Sequence, residues 1–175
     1  MEQKSKLSTA ALNGLYLAAI TVVCSLLTSA IELKGVASII VWMVKFAGTN
    51  YLLYYFMKDY ANKNNISNYG KNFSYGFLLS NLSAIVCACF SFFSITFLFP
   101  NSTSEAISLM QETMAQQQMS SDEENAIDMI IARLPEITLF GTLIYLMIYG
   151  AIASAVIANF SKKEENPFSE NEEEE

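Results

Sequence analysis

Four apolar stretches, at about 8–31, 36–57, 73–99 and 136–160, take up most of this 175-residue chain. Each supplies the ~20 apolar residues needed to cross a ~30 Å hydrocarbon core. The expected architecture is therefore all-α, an integral membrane bundle of four helices. Charge placement agrees. Only 15% of residues are charged, against ~25% in soluble domains, and they gather between the stretches and at the C-terminus.

The first stretch carries Ala10, Gly14 and Ala18 at four-residue spacing, a face that suits close helix approach. A cleaved signal peptide is its rival reading, since Thr28-Ser29-Ala30 loosely fits a cleavage site. The stretch is too long for a signal core, and Glu32-Leu33-Lys34-Gly35 reads better as a tight turn. Val23 before Cys24 also argues against a lipoprotein site. The second stretch ends in Tyr51, Tyr54, Tyr55 and Tyr60, an interfacial belt. Lys58 to Asn72 reads as a polar connector with Gly70 as its breaker.

The third stretch begins with small and polar residues, Gly76, Ser80, Ser83 and Ala84 among them, and ends in phenylalanines. The former suit packing and the latter suit lipid. Pro100-Asn101 stops it. The loop 101–135 holds two capping boxes, Ser102 with Glu105 and Ser120 with Glu123. They predict amphipathic helices at about 103–118 and 121–134. The fourth stretch has Pro135 in its first turn and repeats the small-residue spacing at Gly150, Ser154 and Ala158. The acidic tail 164–175 is expected to be disordered. Its Asn166-Pro167-Phe168 resembles a docking tripeptide, but three residues in a tail are taken as chance.

Basic residues split by side. Lys4, Lys6, Lys58, Lys63, Lys71, Lys162 and Lys163 flank one side, and Lys34 and Arg133 the other. The positive-inside rule then puts both termini in the cytoplasm and 101–135 outside.

Lys45 is the formal charge deep inside a stretch. It lies roughly 14 Å from Val36 at ~1.5 Å per residue, close to the midplane. Intramembrane charges are functional suspects, so one reading is an anion contact. The other is structural. Helical side chains lean toward the N-terminus, which directs Lys45 past Trp42 toward Glu32 and Glu136, with a cation–π term on the indole. Asn13, Asn50, Asn81 and Asn159 either line a polar vestibule or serve as interhelical hydrogen-bond glue.

The search for catalysis is negative. There is no histidine, no carboxylate deep within the spans and no Gly-rich phosphate loop, so no metal site, acid–base pair or triad can be assembled. Cys24, Cys87 and Cys89 all lie in apolar runs and give no disulfide framework. No cofactor is expected, and no basic face offers itself to nucleic acid.

The order of features resembles a known family. The pieces are the tyrosine-rich end of the second span, the run Asn68-Tyr69-Gly70-Lys71-Asn72-Phe73-Ser74-Tyr75-Gly76-Phe77, the acidic Met/Gln-rich loop, and the close Gly150-Ala151-Ile152-Ala153-Ser154-Ala155-Val156-Ile157-Ala158. Over about residues 8–163 they are similar to the bacterial domain-of-unknown-function 4199 family of small four-span membrane proteins. The resemblance implies a four-helix inner-membrane protein and brings no activity or site residues with it. The expected role is structural or accessory, within a homo-oligomer or beside another membrane protein. The alternative is a small oligomeric transporter or channel component that uses Lys45.

Overall fold

The computed structural model describes residues 2–30, 36–100, 104, 107, 108, 112 and 121–161. Its helices are α1 (Glu2–Ala30), α2 (Val36–Lys63), α3 (Tyr69–Phe93), α4 (Ser121–Ala132) and α5 (Leu134–Ser161). Four of them, all but α4, are long and apolar enough to cross a membrane. The chain is a multi-pass membrane protein with an all-α fold.

The helix ends have local causes. The polar run after Met57 continues α2 for another turn and a half, with Lys63 donating to Asp59 four residues back at 2.8 Å. Asn65 then takes a left-handed conformation, φ 51°, which asparagine tolerates better than most residues. Gly70 is not the breaker expected of it. It lies in the first turn of α3, where Asn68 Oδ1 caps the N–H groups of Gly70 and Lys71 at 2.8 and 3.3 Å. The connector is thus 64–68, shorter than the sequence suggests. At its other end α3 widens into a π segment, Ser94–Leu98, and stops at Phe99, ahead of Pro100.

The expected helix at 121–134 is present as α4, which turns at Arg133 straight into α5 with Pro135 in its first turn. Of the helix expected at 103–118, Ser104, Ile107, Ser108 and Glu112 are helical, and the rest lies outside the described residues. The expected tail 164–175 lies outside them too.

In cross-section α1, α3, α5 and α2 follow one another around the bundle, and α2 also meets α3 across the diagonal. Consecutive spans run antiparallel. The starts of α1 and α3 and the ends of α2 and α5 share one end, called here the connector end. The small residues act as the sequence suggests. Ala10, Gly14 and Ala18 are buried on α1, and Gly150, Ser154 and Ala158 on α5. A methyl group built on Gly150 would lie 2.6 Å from Ser80 Cβ, and one on Gly14 would lie 3.0 Å from the Leu79 carbonyl oxygen. These contacts let α3 approach its neighbours backbone to backbone.

Candidate functional site

The polar groups inside the spans form two layers. Near the connector end, Asn13 donates to Tyr75 Oη at 2.8 Å, tying α1 to α3. The Tyr75 ring stacks on Tyr60 of α2 with centroids 3.7 Å apart. One turn earlier on α3, Asn72 is fully buried and donates to Ser161 Oγ of α5 at 2.8 Å. Ser161 in turn donates to the Ile157 carbonyl at 2.8 Å. Ser80 and Ser154 meet at 3.4 Å between α3 and α5.

Deeper in the bundle lies Lys45. Ser38, Val41, Lys45, Gly48 and Thr49 are half-buried while Met43, Val44 and Phe46 are exposed, so Lys45 sits on the face of α2 that turns toward the bundle. Its ammonium donates to Ser25 Oγ of α1 at 3.4 Å, a long and weak bond. Gly48 faces Ile20 across the helix pair, which sets residue 23 level with Lys45. Ser25 lies beyond that level, so the side chain leans toward the N-terminus of α2 as helix geometry requires. Thr49 Oγ1 bonds back to the Lys45 carbonyl at 2.7 Å.

The contacts foreseen for Lys45 differ from these. Glu136 is exposed and makes no ion pair with Lys45; among the described residues a salt bridge joins Lys63 and Asp59 instead. Glu32 lies outside the described residues. Trp42 does not receive the ammonium. It is 63% exposed and stacks on Phe46, centroids 5.6 Å apart. One helix turn along, Asn50 donates to Tyr149 Oη of α5 and to the Phe46 carbonyl.

Of the four asparagines singled out in the sequence, Asn13 and Asn50 therefore bridge helices. Asn81 bonds within its own helix, to the Phe77 carbonyl at 2.9 Å, and Asn159 is exposed. The fully buried one, Asn72, is hidden in the sequence by its place in a polar run. Its phase gives it away: Asn72, Tyr75, Gly76, Leu79, Ser80 and Ser83 recur at helical spacing and are all buried.

Between the two layers is a cavity of about 40 Å³ whose lining includes Thr21, Thr49, Ser83, Cys87 and Tyr149. It has room for a few waters and falls far short of the ~300 Å³ at which small-molecule sites begin. No group of three or more metal-ligating side chains occurs among the described residues.

A family comparison matches residues 10–163 to the proteins of unknown function grouped as DUF4199. The chain belongs to the DUF4199 family. The match runs from the buried Ala10 face of α1 past the Asn72–Ser161 bond at the close of α5, so the whole four-helix bundle is the DUF4199 unit. Comparison with curated proteins and with solved structures returned no match.

Proposed function

We propose that this DUF4199 chain is a structural or interaction protein of the bacterial inner membrane and not an enzyme, with both termini in the cytoplasm. The observation that carries the reading is the interior. Asn13, Asn50, Asn72 and Ser80 bond from one helix to another, and the cavity of about 40 Å³ between the layers is too small for a substrate. The orientation follows from Lys6, Lys58, Lys63 and Lys71 at the connector end against Arg133 at the other. The bilayer is the first partner. A second copy, or another membrane protein, is the second, received on the exposed apolar sides of α2 and α5. Nucleic acid and cofactors play no part.

Purification of the full chain in mild detergent, followed by mass spectrometry, tests this. A reproducible protein partner or a stable homo-oligomer is expected. A bound small anion with neither would count against it. For the topology, protease added from outside should cut within 101–135 and spare the tail.

One observation favours a second reading, an oligomeric transporter or channel component. Lys45 faces the bundle and its bond to Ser25 is weak. An anion flux in proteoliposomes that Lys45→Met abolishes would establish that reading in place of the first.

A further inference from the structure

One hollow at the connector end lies not between the spans but on top of them. It measures about 400 Å³ and is walled by Lys6, Tyr60, the turn 64–68 and Lys71. Two stretches far apart in sequence converge on it: the start of α1, and the run from the end of α2 through its turn into the first turn of α3. The volume falls within the ~300–1,000 Å³ of small-molecule sites.

The chemistry of the wall has one sign. Lys6 and Lys71 both face the hollow, and among the described residues neither has a carboxylate within ion-pair distance. The neighbouring acid, Asp59, is taken by Lys63 at 2.8 Å. The Lys6 ammonium is not left to wander, because it donates to Ser74 Oγ at 3.0 Å. One hydrogen bond leaves it two further N–H donors. Asn64, Asn65 and Ser67 add neutral amide and hydroxyl groups around the two cations. Beneath them the floor is fixed: Tyr60 stacks on buried Tyr75, and Ile66 is buried. Asn68 already caps the first amides of α3, so an anion here would be held by side chains and not by the helix terminus.

We propose that this hollow binds a phosphate-bearing anion, held between the Lys6 and Lys71 ammonium groups. Lysine suits phosphate as a point charge with several donors. The site lies beside the tyrosine belt, where Tyr55 and Tyr69 are exposed, and so at the depth of lipid headgroups. The same chemistry admits a lipid phosphate from the bilayer or a phosphorylated solute from the water. The inference stands whether the bundle acts as a scaffold or as a conduit.

The test uses the full chain in phosphatidylcholine nanodiscs. One arm adds phosphatidylglycerol and reads retained lipid by native mass spectrometry. The other adds inorganic phosphate or glycerol 3-phosphate and reads binding by calorimetry. Saturable binding is expected in at least one arm, and which arm responds identifies the source. Lys6→Gln and Lys71→Gln should each weaken it roughly fivefold, and the pair roughly thirtyfold, from about 1 kcal/mol per lysine near a membrane surface. Lys6→Arg/Lys71→Arg should keep most of the binding. Lys58→Gln/Lys63→Gln, which removes two lysines of the same end engaged with Tyr54 and Asp59, should leave it within twofold. Circular dichroism of each variant guards against misfolding. Binding in neither arm overturns the proposal, and so does a loss as large in the Lys58/Lys63 pair as in the Lys6/Lys71 pair.

Discussion

The two ends of the bundle are built differently. At the connector end Ala10, Leu17, Leu53, Met57, Tyr75, Leu79, Ala153 and Ala158 make one buried core, with Asn72, Ser154 and Ser161 buried among them. At the other end no described residue of Val36–Phe46 in α2 or of Leu134–Tyr145 in α5 is buried, and on α3 burial stops at Ala88. Val36, Trp42, Phe140 and Tyr145 are exposed there, and α2 contributes the least buried span of the four. The difference shows what packing means in a membrane. Lipid is as apolar as leucine, so apolarity alone does not draw helices together; small residues and interhelical hydrogen bonds do. The connector end has both. The far end has bulky apolar side chains and a weak Lys45–Ser25 bond, so the faces of α2 and α5 there stay open to lipid or to a partner.

Substitutions on a single helix offer the sharpest way to break the comparison. Gly150→Leu drives a side chain into Ser80 and should cost about 3 kcal/mol or more, read as loss of thermal stability in nanodiscs. Gly141→Leu, on the same helix but with nothing near its added methyl, should stay within about 0.5 kcal/mol. Equal losses at the two glycines would show that the far end closes in the bilayer. Next in size is Lys45→Met. Removing a charge near the midplane should ease insertion of the second span by up to about 2.5–3.5 kcal/mol in a glycosylation-based insertion assay. It should leave the melting of the connector-end core unchanged.

Asn72→Ala comes third. It removes the bond to Ser161 and opens space in the core, a loss of about 1–2 kcal/mol measurable by steric trapping in bicelles. An Asn72→Ala protein as stable as its parent would mean that glycine and serine packing alone holds this end. Trp42→Ala should be the mildest, below about 0.5 kcal/mol, because the indole stacks on its helix neighbour Phe46 and is 63% exposed. A large effect of Trp42→Ala on partner recovery, with stability intact, would mark this face as the contact surface.

Much of this is legible in the sequence, and the illegible part has a common cause. Ala10, Gly14 and Ala18 announce their buried face by spacing alone, because residues four apart stack on one side of a helix. Lys45 is conspicuous as a charge in an apolar run, but its partner is not. Ser25 is one hydroxyl among several in the first span, and only the α1–α2 register selects it. Asn72 is overlooked for the opposite reason. Surrounded by Asn, Lys and Ser, it looks like connector until the cap at Asn68 starts α3 a full turn earlier. The hollow between Lys6 and Lys71 is the least legible, since its walls lie more than sixty positions apart in the chain.

The chain alone sets that there are four membrane-crossing helices and which of their faces carry small residues. Those are properties of composition and of the 3.6-residue period, which need no neighbour to express. Tertiary structure alone decided that the core gathers at one end, that Lys45 turns inward to Ser25, and that two distant lysines share one hollow. Each of these depends on the depth at which one helix is set against another. That depth is fixed by pairwise contacts such as Gly150 on Ser80 and Asn72 on Ser161, which no single stretch contains.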